Sequence, residues 1–555
     1  MYRLGQLGLL CASLCVSSAY AETTATYAFD VTPAQLQSAS SSVTWGRLLL
    51  LNDKGESAVQ DPRFFLQTAD GKIDAQAEMQ ALLQAWQSDD SRACAFPARL
   101  AFVREALAID MPLPNCPEFD DWFTKMASTR LSVIFADEHP NNLASGFGHT
   151  LLRADTEGGA IAINYTPDYP TSANPATGAI KSLTGGYLAI MEILPFAQKQ
   201  HDYLVRDKRD IWQYTLALNS AQIAQIMRHI YEVQGVARAY YLTHDNCATE
   251  IVRLVDVVRS DLALGAKLLA ITTPADITRV LDKAGLIANT EYMPSTASLA
   301  QAALNNAHQP ISAPLTATGN PVTAVGASKL QFIYTHQADD DRFALEYRPA
   351  YHDALDTPTG VRQYVDVEVL SAQILLDNRP QLDKLTFLRQ RSYNPYNTAK
   401  AYSGIAYDVH AGMIPDLDST GARHRVGHLA VALGKSRTLG QGRAGTTDLA
   451  NQLCYALGGG AVQFGNVDKG YRVGATATLG CVQHVTDKMR YRAELSVPYW
   501  YSASRHSSAG YAIPTVALTG QYDTKWGAVR AGVAWQKVQN KASVQTVNVS
   551  YGHYF

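Results

Sequence analysis

From about residue 328 to the last residue, Phe555, apolar and polar positions alternate. Between Lys488 and Tyr501, one face carries Met489, Tyr491, Ala493, Leu495, Val497, Tyr499 and Tyr501, while Lys488, Arg490, Arg492, Glu494 and Ser496 fall on the other. A period of two is that of a β-strand. Segments of this kind start near residues 328, 341, 362, 381, 401, 423, 449, 468, 486, 510, 526 and 542. An even set of about twelve such strands predicts an antiparallel transmembrane β-barrel, because only closure satisfies every backbone group in lipid. The apolar face would meet lipid and the charged face would line the lumen. A soluble β-sandwich also alternates, but it has no need of so many outward aromatics. The final strand, with Val547, Val549, Tyr551, His553 and Phe555 on one face, ends on an aromatic residue.

Upstream the pattern is mixed. "DAQAEMQALLQAW" (Asp74 to Trp86) and "SAQIAQIMRHIYEV" (Ser220 to Val233) have helical periodicity. Short strand-like runs lie between them. The stretch from Asn305 to Ala327, rich in Pro, Thr, Ala, Asn and Gly, reads as a linker. At the other end Arg3, the apolar run Leu7 to Val16 and Ala19-Tyr20-Ala21 form a signal peptide with an A-x-A cleavage site. The expected organisation is a signal peptide at 1–21, an α+β periplasmic domain with a helical N-terminal part at 22–304, a linker at 305–327 and a barrel at 328–555.

The 555 residues suffice for more than one domain, 47% of them are hydrophobic, and the formal net charge is only −3. Nothing in that balance points to nucleic acid as a partner. After the signal peptide no apolar run reaches transmembrane-helix length.

Five cysteines follow the signal peptide, and an odd count in an oxidising compartment leaves a thiol over. Cys454 and Cys481 lie symmetrically about the turn-like "GNVDKG", so a hairpin there would set them opposite each other. Cys94 and Cys116 flank one short Pro-containing segment and can close a modest loop. Cys247, in "THDNCATEIVRLV", is then the free thiol.

Asp245 or Asn246 is a good N-cap for a helix whose apolar stripe is Ile251, Leu254, Val255 and Val258. Cys247 would sit in its first turn, where the unsatisfied N–H groups favour a thiolate and could also receive an oxyanion. His149, after a Gly-Phe-Gly and at the head of a strand-like run, is the candidate base, with Asn164 in the next strand as its orienting group. Ser145, Tyr241 and Asn246 are candidate substrate-binding or oxyanion residues by their closeness in sequence to the pair. The plainer alternatives are a buried thiol, a strand-edge histidine bonded to backbone and a polar filler at Asn164. His244 is a rival base, too near Cys247 in sequence to be oriented independently of the turn. The spacing of these cysteine and histidine residues matches no compact zinc pattern, and no metal or cofactor is expected.

The segments "DPRFFLQTADGKIDAQAEMQALL", "CAFPARLAFV", "SGFGHTLLR", "AINYTPDY", "SLTGGYL", "RDIWQYTLALN" and "YYLTHDNCATEIVRLV" together resemble the Lnb N-terminal periplasmic domain family, whose named members are bacterial lipoprotein N-acyltransferases. The order His149 before Cys247 is also similar to that of circularly permuted papain-like enzymes, including relatives of lecithin:retinol acyltransferase. The resemblance implies Cys247 as nucleophile through a thioester and His149 as base, with Asn164 carried over by rough position. The characterised family members continue into membrane helices, whereas this chain continues into alternating strands. Reaction type transfers more readily than substrate.

The expected function is therefore an acyl transfer at the periplasmic face of the outer membrane, with phospholipid as donor and an amine such as a lipoprotein amino terminus as acceptor. A papain-like amidase acting on peptidoglycan peptides and a passive transport or assembly barrel remain open.

Overall fold

The computed structural model describes residues 31–555 apart from 53, 60, 68–72, 139–145, 169–174, 312, 318, 338–339, 397–403, 504–507, 540 and 542. The signal-peptide reading and Ser145 lie outside the described residues.

Four helices come first: α1 (Pro33–Ser40), α2 (Val43–Leu48), α3 (Ala75–Gln87) and α4 (Pro97–Ala106). Asp74 caps α3 through the N–H groups of Gln76 and Ala77, and Trp45, Leu48, Leu82, Leu83 and Trp86 are buried between the helices. The disulfide Cys94–Cys116 links the turn before α4 to the residue that precedes the helix at Pro117. Arg99 of α4 is fully buried, 3.0 Å from Glu78 and 3.8 Å from Glu232. Glu232 belongs to a later helix, so a buried charge cluster fastens the helical part to the sheet domain.

That domain is built on a seven-stranded antiparallel sheet of β1 (Ser128–Ala136), β2 (His149–Thr156), β3 (Gly159–Pro167), β4 (Tyr187–Pro195), β5 (Ile211–Leu216), β6 (Arg238–Tyr240) and β7 (Ile287–Met293). Its order is β6-β4-β3-β2-β1-β5-β7. Alternate residues of β2 serve opposite faces. Leu152 and Ala154 join a core with Ile226, Ile230, Ile251 and Val255, and Leu151 joins another with Phe196 and Tyr203. The helices around the sheet are α5 (Pro117–Met126), α6 (Pro175–Thr184), α7 (Phe196–His201), α8 (Ser220–Val233), α9 (Cys247–Asp256), α10 (Pro274–Lys283) and α11 (Thr296–Asn305).

The C-terminal strands are β8 (Lys329–Gln337), β9 (Asp340–Arg348), β10 (Ala350–His352), β11 (Val365–Leu375), β12 (Gln381–Ser392), β13 (Ile405–Leu417), β14 (Arg423–Leu439), β15 (Gln452–Gly465), β16 (Tyr471–His484), β17 (Met489–Ala503), β18 (Ser508–Ala512), β19 (Thr515–Thr524), β20 (Gly527–Lys537) and β21 (Ser543–Tyr554). Short β10 and β18 are additions. The other twelve pair in sequence, β21 pairs with β8, β9 pairs with β11, and the barrel closes.

Outside, Tyr347, Tyr522, Trp526, Tyr551 and Phe555 are exposed near one rim, and Phe464, Tyr471, Tyr499, Tyr501 and Trp535 near the other. Exposed Leu429, Val431, Leu479, Leu495, Val497 and Leu518 fill the band between. Two aromatic girdles around an aliphatic band are the exterior of an outer-membrane barrel. Inside, Arg492 bonds Asp366 at 2.8 Å, Arg391 bonds Glu494 at 2.6 Å and Arg530 bonds Asp353 at 2.7 Å. Cys454 and Cys481 are paired residues of β15 and β16 and form the second disulfide.

The barrel departs from the usual plan in its connections. Segments 353–364 and 440–451 lie at the rim where the chain enters β8 and leaves β21, which is the periplasmic rim. They are longer than the turns 485–488 and 525–526 at the same rim and than 376–380, 418–422 and 466–470 at the far rim, whereas periplasmic turns are usually short. Both hold the periplasmic domain or fill the lumen. Arg362 donates to the Glu138 carbonyl, and Asn305 donates to the carbonyls of Thr446 and Asp448. Ala354 and Leu355 turn inward, where their carbonyls accept from His484 and Arg490.

The segment read as a linker begins within α11, which ends at Asn305, and is no free tether. Asn320 accepts from the Tyr214 hydroxyl, the Val325 carbonyl accepts from Arg279, and Thr316 bridges to Thr446. Small and polar residues there make bonds to both neighbours, which composition alone cannot distinguish from solvation.

Candidate active site

Helix α9 starts where the sequence places it. Asn246 is the N-cap: its Oδ1 accepts from the N–H groups of Ala248 and Thr249, and Thr249 Oγ1 accepts from the Asn246 backbone N–H. Its Nδ2 donates to the carbonyls of Leu242 and Thr272, both at 3.0 Å. Both amide hydrogens are engaged. Asn246 is thus a scaffold for the helix start, and the oxyanion role considered for its side chain has no free donor. Behind the cysteine, Arg253 pairs with Asp245 at 2.6 Å and Arg238 with Glu250 at 2.5 Å, which pins the first two turns.

Cys247 is the first helical residue, buried and unpaired. Its backbone N–H finds no acceptor among the described residues, leaving a donor aimed outward from the helix start. The thiol and His149 line the same cavity, and the imidazole is close enough to act on the sulfur electrostatically. Burial pushes its pKa up, but the positive charge of His149, with a smaller contribution from neighbouring Thr150, outweighs burial and brings it down to about 7.

His149 opens β2 directly after Gly148, whose φ of +89° and closeness to Phe135 exclude a side chain. A Cβ there would stand 2.7 Å from the Phe135 ring. The tight turn delivers the imidazole to the helix start. His149 Nε2 lies 2.8 Å from Asn164 Oδ1, and Asn164 Nδ2 donates to Glu192 Oε2 at 3.0 Å. A carboxylate accepts only, so Glu192 fixes which end of the Asn164 amide faces the ring. Nε2 then carries the hydrogen, and Nδ1 is the nitrogen left for the thiol. Lys199, 3.9 Å from Glu192, lies behind that carboxylate.

A cavity of about 40 Å³ opens beside the pair, too small to enclose a whole lipid or peptide. Cys247, His149, Tyr240 and Ile271 line it, and so do Ala350 and Val369 of the barrel. Tyr241 does not. It stacks on His244 at 4.6 Å and packs on Gly185, so Tyr240 takes the pocket position considered for it. Exposed His244, bonded to Thr243, likewise lies outside the lining. Among the described residues no group of three or more His, Cys, Asp or Glu could hold a metal.

Sequence reasoning missed Glu192 and the barrel residues. A lone carboxylate in "YLAIMEILP" is a usable signal for the first. Nothing local marks Ala350 or Val369, which reach the site only through the docking of two domains.

Three family models match parts of the chain. Residues 118–284 match the Lnb N-terminal periplasmic domain, residues 37–106 match a domain of unknown function, DUF7843, and residues 318–554 match another, DUF7840. No curated protein matches the sequence. Among solved structures, a loop-deleted OmpT of Vibrio cholerae is 12% identical, covering 41% of this chain and 97% of its own at a TM-score of 0.21. Omp33 of Acinetobacter baumannii is 15% identical, covering 42% and 99% at 0.22. The NanC porin is 9% identical, covering 41% and 99% at 0.25. The assignment of the barrel rests on its own closure and exterior. The chain thus joins a segment that matches the Lnb N-terminal periplasmic domain, residues 118–284, to a twelve-strand outer-membrane β-barrel in one polypeptide.

Proposed function

We propose that this outer-membrane protein is a cysteine acyltransferase, taking an acyl group from a phospholipid onto Cys247 and passing it to an amine such as a lipoprotein amino terminus. The observation that carries the reading is the line Glu192, Asn164, His149, Cys247, in which each group orients the next and the last is a thiol with a pKa near 7. The likeness in chain order to permuted papain-like enzymes, where a strand histidine precedes a helix-borne cysteine, supports the same assignment of roles.

The chemistry follows from the geometry. The Cys247 thiolate attacks an ester carbonyl carbon, and the negative charge that develops on the carbonyl oxygen is met by the unpaired N–H of Cys247. The intermediate collapses by breaking the ester C–O bond, and the proton on His149 passes to the departing alkoxide, leaving a lysophospholipid and a thioester. An amine then attacks the thioester. Neutral His149 accepts its proton as the C–S bond breaks, which restores the ion pair. Asn164 keeps the ring oriented through both proton transfers, and Glu192 keeps Asn164 oriented.

The test uses the full chain in vesicles containing a phospholipid labelled in its acyl chain, with an amine-bearing diacylated lipopeptide added. Label on the lipopeptide, lost in Cys247→Ala, is the expected result. Label released only as free fatty acid would make the protein a lipid hydrolase. No turnover, with release of fragments from added peptidoglycan, would replace the reading by a peptidase.

A further inference from the structure

The cavity beside Cys247 has a barrel wall, and that wall is the outside of the barrel. On β11 the side chains of Asp366 and Glu368 face the lumen, where they meet Arg492 and Lys384. Val365, Val367 and Val369 therefore face outward, where lipid would be expected. They are nevertheless buried, at 4, 4 and 5% exposure. What covers them includes Phe147, Leu183 and Ile271 of the periplasmic domain. Ala350 pairs with Val369 across β10 and β11, and this pair closes the cavity opposite Cys247 and His149.

The same strand then leaves the cover. Leu370 has a φ of +53°, and at this left-handed position two successive residues, Val369 and Leu370, point outward. Beyond it Ser371 bonds lumenal Glu368, while Leu370, Ile374 and Leu376 are exposed on the outer face, at 36, 40 and 45%. With a rise of about 3.3 Å per residue, the lipid-facing surface begins roughly one residue from the cavity wall. The nucleophile thus lies beside an apolar track that runs along β11 from the cavity to the barrel's lipid-contacting exterior.

We infer that the outer wall at Ala350 and Val369 is one side of an acyl-chain site, through which a phospholipid of the leaflet surrounding the barrel offers its chain and ester to Cys247. The inference rests on the acyl-transfer reading above and adds to it the route and the residues that define it. An acyl chain suits this wall because it has no polar atoms to satisfy. A peptide laid against the valines would leave backbone N–H and C=O groups without partners. The barrel is then part of the substrate site as well as its anchor.

The first test does not depend on chemistry. The full chain carrying Cys247→Ala is placed in vesicles of phosphatidylethanolamine and phosphatidylglycerol doped with a phospholipid bearing a diazirine midway along one chain. Photolysis should give adducts on Ala350, Val369, Phe147 or Ile271 in addition to exposed positions such as Leu429. Adducts confined to exposed positions overturn the site. The second test measures the hydroxylamine-labile acyl adduct on Cys247. Val369→Trp should reduce it at least tenfold, whereas Ile374→Trp, on the same outer face beyond Leu370, should leave it unchanged. Equal adduct in Val369→Trp and wild type overturns the route. Cavity crosslinks without any adduct in wild type would uphold the lipid site and remove the acyl transfer.

Discussion

Replacing His149 by Ala should raise the Cys247 pKa by two units or more, and the size of the change can be worked from the site. The thiol lies near 7 although burial alone would carry it above its ordinary value of 9.0. The net lowering of about two units corresponds to roughly 2.7 kcal/mol favouring the thiolate. His149 is the largest of the lowering influences, so without it burial takes over and the thiol returns to 9 or higher. The thiolate is the deprotonated form, so its fraction rises with pH through the pKa. At pH 7 that fraction falls from about one half to about 1% or less, a loss of roughly 50-fold. A thiolate of higher pKa is intrinsically more nucleophilic, by about 6–10-fold for two units, which offsets part of the loss. The rate of iodoacetamide labelling at pH 7 should therefore fall by only about 5–8-fold. The midpoint is the cleaner readout. Labelling of the full chain between pH 5 and 10 should rise with a midpoint near 7 in wild type and at 9 or above in His149→Ala. A wild-type midpoint at 9, or an unchanged one in the variant, would refute the ion pair.

Other substitutions probe the parts around it. Glu192→Gln lets the Asn164 amide present either end to the ring, and thioester formation should slow on the order of tenfold with the alkylation midpoint little changed. Arg99→Met leaves Glu78 and Glu232 buried without their cation, and should cost about 3–5 kcal/mol in the unfolding of the periplasmic domain, read as a fall in its melting temperature. With Ala354 and Leu355 seated in the lumen, the purified protein in a planar bilayer should show no steady open conductance, and deletion of 353–364 should create one.

The barrel was legible because its exterior and lumen impose opposite chemistry on successive residues. β8 begins at Lys329, β12 at Gln381 and β14 at Arg423, within a residue of where alternation begins, and the disulfide of Cys454 and Cys481 follows from the hairpin that alternation implies. Alternation does not say what covers the apolar face, so Val365, Val367 and Val369 read as lipid-facing although a domain packs on them. Cys247 emerged by elimination and by its N-cap, and His149 by the glycine turn that precedes it. Their meeting depends on β2 lying against α9, which no spacing along the chain encodes. Tyr241 and Asn246 were singled out by nearness in sequence. A turn reverses direction between neighbours, so Tyr240 lines the cavity while Tyr241 faces away, and Asn246 commits its amide to the helix start.

The central claim is a covalent acyl group on Cys247. Intact-protein mass spectrometry of wild type and Cys247→Ala after incubation with phospholipid vesicles, before and after hydroxylamine, tests it most directly. The expected result is a mass increase equal to one acyl chain, present only in wild type and removed by hydroxylamine. The same mass increase in both proteins, or none in wild type under rapid quenching with acceptor amines excluded, would contradict it.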